Sequence, residues 1–375
     1  MDLELTEEQT MLRDTVRDLL RRFYDGEALA KVGETDPGWN RTVWKQLAEL
    51  GVLGLTIDED DGGVGAGPVE AMLVQEELGR ALAPEPVLDA VVIPAELLKL
   101  AGSAEQRARL LPALAGGEKL LAFAHAEPGQ RWPATELTTT AAAQGDGYAV
   151  SGVKNPVLRG DVADELIVSA VLPGGGIGLL LVDPTGTGVT KRAYRTFDGR
   201  RGAQFDFDGA PGELLGDTVD AAEQIALTQG FAQAALCAES VGAMEIALTL
   251  TTEYLKARKQ FGVTLSKFQT LTQRAADCYV SLELARSMSL FATAALADGG
   301  NDPVVASRAR LQVGRSAEHI GQEAVQMHGG IGVTAEYPVS HYVARLTAIG
   351  QTLGGALEHR RVLADRVGDY DLPEL

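Results

Sequence analysis

Gly116-Gly117-Glu118-Lys119-Leu120-Leu121-Ala122-Phe123-Ala124 is the stretch where this 375-residue chain changes its period. Before the glycine pair, apolar residues recur at helical spacing; after it they come in short continuous or alternating runs, the spacing of strands. Upstream, Thr6 and Gln9 form a capping box, and Leu12, Val16, Leu19, Leu20 and Phe23 line one helical face. Asp36-Pro37-Gly38 reads as a turn, Trp44 to Leu50 as a short helix stopped by Gly51, and Pro68 to Leu82 as another helix. Ser103 with Gln106 starts one more helix, ended near the glycine pair itself. Downstream, Leu120 to Ala124, Tyr148-Ala149-Val150, Leu166-Ile167-Val168, Gly178 to Val182 and Phe205-Asp206-Phe207 predict a small all-β domain. Past Gly216 the helical period returns, over about Thr218–Lys259, Lys267–Ala297 and Pro303–Met327, and the glycine breaks between these segments favour a bundle. The expected organisation is an α+β chain: helices over 1–119, a β domain over 120–217 and a helical bundle over 218–375.

Composition narrows the function. With 33 Lys+Arg against 52 Asp+Glu the net charge is −19, which repels nucleic acid and anionic membrane, so any anionic ligand must be held by local donors. The two cysteines, Cys237 and Cys278, lie far apart in helical patterns and suggest neither a disulfide framework nor a thiolate metal site; a reducing cytoplasmic setting fits. The N-terminus carries acid where a signal peptide would carry base, and no uninterrupted apolar run approaches a membrane span. His125, His319, His328, His341 and His359 are scattered, without a second ligand at metal spacing, and no Gly-x-Ser-x-Gly elbow is present. The glycine-rich loop Asp60 to Gly67 follows no Walker-type pattern and reads as a helix–helix connection.

Two constellations remain in the last third. Lys256-Ala257-Arg258-Lys259-Gln260-Phe261-Gly262 closes a long helix, with Phe268-Gln269 opening the next; Gln326-Met327-His328-Gly329-Gly330-Ile331-Gly332 closes another, followed by Glu336-Tyr337-Pro338. A guanidinium offers a planar fork to a diphosphate, and a Gly-Gly turn lets backbone N–H groups approach one closely. Either motif alone is also an ordinary helix end with a cation that complements the helix dipole.

Together, in this order and after a helix–strand–helix layout, the two motifs resemble those of the acyl-CoA dehydrogenases, and the resemblance extends over essentially the whole chain. It implies an N-terminal helical domain, a small antiparallel β domain and a C-terminal four-helix bundle. It also implies FAD at a subunit interface, an acyl-CoA thioester as substrate and an electron-transfer flavoprotein as acceptor. Carried over, the adenine-side contacts are Arg258, Phe261, Gln269, Gln326, Gly329 and Gly330.

The rest of the implied site departs from the family pattern. The strand that usually reads Thr-Glu-Pro-Gly-x-x-Ser reads Ala126-Glu127-Pro128-Gly129-Gln130-Arg131-Trp132, without either hydroxyl, and the later Lys-x-Trp-Ile-Thr strand reads Lys154-Asn155-Pro156-Val157-Leu158. The reaction needs a carboxylate to take the α-proton of the thioester while the β-hydride leaves. The two positions where the family places that Glu are Leu353 and Ala232 here, with Glu239, Glu245 and Glu336 as the acids nearest in sequence and Glu239 the candidate substitute. Loss of the flavin-ring and base positions with retention of the adenine-side ones is similar to the base-lacking subunit of heteromeric acyl-CoA dehydrogenases of the sterol side-chain or pimeloyl-CoA type. Leu121 to Glu127 and Phe197-Asp198-Gly199 add to that similarity. A self-sufficient homo-oligomer with a relocated base, and a non-catalytic relative that binds a CoA ester or a partner, stay open on the residues alone.

Overall fold

A computed structural model of the protein describes residues 4–24 and 26–369. The helices of the first third are α1 (Glu7–Phe23), α2 (Gly26–Glu34), α3 (Arg41–Glu49), α4 (Pro68–Ala81), α5 (Ile93–Ala101) and α6 (Ala104–Ala115). Both capping boxes form: Thr6 Oγ1 accepts from Gln9 N–H and Ser103 Oγ from Gln106 N–H, while each glutamine side chain reaches back. The helix at Trp44 begins earlier than its apolar residues suggest, because Asn40 caps Thr42 and Val43. A π-helical turn, Leu88–Val92, leads into α5, an apolar stretch with no helix signal of its own.

Seven strands follow: β1 (Leu121–Ala124), β2 (Thr140–Gln144), β3 (Gly147–Leu158), β4 (Glu165–Val171), β5 (Ile177–Val182), β6 (Val189–Arg195) and β7 (Arg201–Leu214). Neighbours run β1-β4-β2-β3-β7-β5, with β5 also paired to β4, so the sheet curls back on itself; β6 hangs on β7. The pairings are antiparallel apart from β1 on β4, from Leu121↔Glu165 to Ala124↔Val168, and a single β2–β4 register pair, Thr140↔Val171. Alternate residues of these strands, among them Val150, Val157, Leu166, Val168, Leu180 and Phe205, fill its core.

The last third holds α7 (Ala222–Ala257), a two-residue hairpin β8 (Lys259–Gln260) and β9 (Val263–Thr264), then α8 (Gln269–Ala297), α9 (Pro303–His328), α10 (Val339–Gln351) and α11 (Ala356–Asp365). α9 packs against α8, α10 and α11. By compactness the chain forms two units, one of residues 1–30, 72–83 and 233–375, the other of 31–71 and 84–232. In the first unit α4 and α7 approach through reciprocal glycines: a Cβ on Gly79 would lie 2.0 Å from Glu239 O, and one on Gly242 2.0 Å from Glu76 O.

Two helices, α7 and α8, are long and apolar enough to cross a membrane by length and composition alone, although small polar residues interrupt their apolar runs. The apolar window of α7 is 78% buried, as befits a core helix, whereas that of α8 is 28% buried and leaves Tyr279, Val280, Leu284, Leu290 and Phe291 exposed.

Candidate cofactor arm and base positions

The end of α7 is built for outward presentation. Arg258 N–H closes the last helical turn on Tyr254 O at 2.8 Å, and Arg258 O accepts from Leu265 N–H, so the hairpin between them is pinned at its base. Its two central residues, Phe261 and Gly262, both have positive φ (54° and 84°), the backbone twist that a two-residue hairpin prefers. For phenylalanine that conformation is strained by roughly 1–2 kcal/mol. Phe261 is nonetheless 92% exposed, its ring set edge-on to that of Phe268 at 6.2 Å between centroids.

The second motif terminates α9. Gly329 at φ 67° caps the helix by donating to Val325 O, and an added Cβ on Gly329 or Gly330 would meet nothing within 4 Å. An aromatic joint ties this end to the first: His328 stacks on Tyr254 (4.5 Å) and packs on Tyr337 (4.9 Å). His328 Nδ1–H donates to Ala324 O at 2.8 Å, and burial holds the imidazole pKa below its usual value, so the ring is a neutral spacer. The joint brings the two motifs to one end of α7 and α9. Arg258, Phe261, Gln269, Gln326, Gly329 and Gly330 are all exposed. The side chains of Arg258, Gln269 and Gln326 make no hydrogen bond or ion pair among the described residues. That donor set, an open guanidinium, two amides and an unobstructed glycine turn, fits the diphosphate half of a dinucleotide.

The base positions are different in kind. Leu353 sits between α10 and α11 with φ 52°, and its carbonyl accepts from Gln233 Nε2 at 3.4 Å. The turn is clamped from the other side by Arg310, a nearly fully buried cation on α9 that donates to Ile349 O (2.8 Å), Thr352 O (2.7 Å) and Gly354 O (3.4 Å). Ala232 is buried in α7. Glu239 is gripped by Arg345 through both oxygens at 2.8 Å. Glu245 loses solvation by burial, but Arg80 and Arg286 more than offset this and hold its carboxyl at about 2. Glu336 is exposed and makes no side-chain hydrogen bond or ion pair among the described residues, standing apart from the pairs that engage the other two.

In the second unit the altered strand folds around an ion pair. After β1, Glu127 receives Lys154 Nζ at 2.9 Å, Thr138 N–H at 2.7 Å, Thr138 Oγ1–H at 2.6 Å and Thr139 N–H at 2.9 Å. Burial alone would raise the Glu127 pKa, yet these donors bring it down to about 2. Burial takes Lys154 down to about 8 against the pull of Glu127, and takes His125, bonded to Ser169 Oγ at 2.8 Å, to about 4. Trp132 donates its indole N–H to Gln229 Oε1 at 2.9 Å. Pro156 is exposed and Leu158 partly buried. The glycine-rich loop turns its amides inward, with Gly63, Val64, Gly65 and Ala66 bonded to backbone carbonyls, so it connects helices and cradles no phosphate through them.

Sequence reasoning missed two of these groups. Lys154 falls at an inward position of β3, and Arg310 falls on the stripe Ala306, Ala309, Val313, Ala317 that α9 buries; a cation in an apolar register was the signal available for each.

The N-terminal, middle and C-terminal domains of acyl-CoA dehydrogenase match residues 6–118, 122–208 and 226–368. The chain belongs to the acyl-CoA dehydrogenase family. Among curated acyl-CoA dehydrogenases it is 31% identical to probable acyl-CoA dehydrogenase YngJ of Bacillus subtilis, over 98% of this chain and 99% of that one. It is 30% identical to acyl-CoA dehydrogenase IpdE2 of Mycobacterium tuberculosis, over 96% and 98%. Among solved structures, a variant of the Tcur3481-Tcur3483 steroid ACAD superposes with TM-score 0.89 at 32% identity, over 97% of this chain and 98% of that one. The ChsE4-ChsE5 complex from Mycobacterium tuberculosis gives TM-score 0.89 at 25% identity, over 99% and 100%. Acyl-CoA dehydrogenases are FAD-dependent oxidoreductases acting on the CH–CH bond of an acyl-CoA.

Proposed function

We propose that this chain is the base-lacking subunit of a heteromeric acyl-CoA dehydrogenase, organised as helical residues 1–119, β residues 120–217 and helical residues 218–375. In this reading it contributes the adenine-side FAD contacts Arg258, Phe261, Gln269, Gln326, Gly329 and Gly330, and a partner subunit supplies the catalytic Glu. The observation that carries the reading is the contrast between an arm of exposed, unengaged donors and a base position occupied by Leu353. When bound, FAD supplies the hydride acceptor for α,β-desaturation.

The chain's own residues then divide the labour simply. Arg258 binds the diphosphate charge, Gln269 and Gln326 orient it, and Gly329 and Gly330 leave the backbone free to approach. Leu353 and Ala232 hold no proton, so a carboxylate from another chain must take the substrate's α-proton. The bidentate hold of Arg345 on Glu239 speaks for a structural carboxylate and against a self-sufficient enzyme with a relocated base. The exposed apolar face of α8 supports assembly with a second chain, the substrate is an acyl-CoA, and an electron-transfer flavoprotein takes the electrons.

The test is flavin content and acyl-CoA-dependent dye reduction, measured for the chain expressed alone and with a base-bearing acyl-CoA dehydrogenase subunit from the same genome. A colourless, inactive chain that becomes yellow and active only in the complex is expected. A chain that is yellow and turns over alone overturns the reading.

A further inference from the structure

A cavity of about 410 Å³ lies within the first compact unit, walled by α1, α4, α7 and the start of α10. That volume is in the range of small-molecule sites. Its walls are largely apolar, with Leu20, Leu29, Leu82, Ile246 and Pro338 facing in. The polar groups on the walls are nearly all satisfied by the protein. Arg17 is bidentate on Glu77 at 2.9 and 2.6 Å, Arg80 is shared by Glu76, Glu77 and Glu245, Tyr342 donates its hydroxyl to Arg80 O at 2.7 Å, and His341 Nε2–H donates to Ala335 O at 3.0 Å. The exception is Arg21, an exposed cation at the rim that makes no hydrogen bond or ion pair among the described residues.

A sugar or nucleotide would ask for many donors and acceptors that these walls have already committed. What the cavity offers is an apolar interior and one unused positive charge, in a chain whose net charge of −19 disfavours anions elsewhere. We propose that this cavity is a binding site for an aliphatic carboxylate of medium chain length, its hydrocarbon among Leu20, Leu82 and Ile246 and its carboxylate on Arg21. The site is independent of the cofactor arm and of the subunit role proposed above.

Calorimetric titration of sodium decanoate, kept below its micelle concentration, into the full-length protein tests this. One site per chain is expected, with affinity lowered about tenfold by Arg21→Gln, the size of a charge-assisted contact at an exposed position. Ile246→Trp should fill the cavity and remove binding while the melting temperature stays near that of the parent. Decanamide, which lacks the charge, should bind about tenfold more weakly than decanoate. Absence of decanoate binding overturns the proposal, as does equal binding of decanoate and decanamide, or decanoate affinity unchanged in both variants. Arg21→Gln alters an exposed position and keeps the test decisive if the tryptophan variant folds poorly.

Discussion

Two arginines, Arg258 at the end of α7 and Arg310 within α9, show how the same side chain does opposite work. Arg310 is buried and spends its donors on three carbonyls of its own chain; Arg258 is exposed and spends none. Only the second has anything to offer a ligand. Arg258→Ala in the assembled complex is therefore expected to cost on the order of 1.5–3 kcal/mol of flavin affinity, read as lower flavin occupancy after dialysis. Full retention of flavin would return Arg258 to the role of a helix-end cation. The acids test the other half of the proposal. Glu336→Gln should leave turnover of the complex within about tenfold, because loss of a true general base costs roughly 10²–10⁴-fold. Glu239→Gln must be read per folded molecule, since breaking a buried pair such as that with Arg345 costs about 3–5 kcal/mol of stability. A collapse of flavin reduction in either variant, with assembly and flavin content intact, would restore the self-sufficient enzyme. The arm was legible from sequence because its motifs are local. The clamp of Arg310 on the turn at Leu353 was not, because it joins residues 39 to 44 positions apart.

Elements show the same division between local and distant information. Capping boxes, glycine stops and the switch of period at Gly116-Gly117 place helices and strands directly, since each signal lies within a few residues of what it controls. Pairing in the sheet does not follow from such signals. β1 lies parallel to β4 with about 40 residues intervening, so the sheet is mostly, not wholly, antiparallel, and nothing inside either strand announces it. The buried pair Glu127–Lys154 is likewise a product of two strands meeting, and it has a measurable consequence. Glu127 has a folded pKa depressed to about 2 from the ordinary carboxyl value of 4.5, so its contribution to stability is complete above the unfolded value and disappears as pH falls through the folded one. The melting temperature should therefore drop between about pH 4.5 and 2. Glu127→Gln should lower it at neutral pH and flatten that acid limb; an unchanged acid limb would mean that other carboxylates dominate it. At the level of helix pairs, Gly79 and Gly242 fix the register of α4 on α7, which lets Arg80 of one helix reach Glu245 of the other.

For the whole molecule the unfinished surface is α8, whose Tyr279, Val280, Leu284, Leu290 and Phe291 stand exposed in a chain of net charge −19. Apolar area drives another chain toward this face while like charge drives a second copy away. The balance between these two forces depends on ionic strength, since the Debye length shrinks from about 30 Å at 0.01 M salt to about 3 Å at 1 M. Pairing of this chain with itself should therefore tighten as salt rises, because screening removes repulsion between two acidic bodies. Pairing with a subunit that presents basic residues to it should loosen as salt rises, because screening then removes attraction. Sedimentation velocity across a salt series, for the chain alone and for the co-expressed complex, reads the sign of that dependence in each case. The heteromeric reading expects the chain alone to self-associate only at high salt and the complex to persist at low salt. A complex that forms only at high salt, beside a self-assembled chain that is stable at low salt, would reverse it. The exposed helix thus makes ionic strength a reporter of which neighbour the protein has evolved to meet.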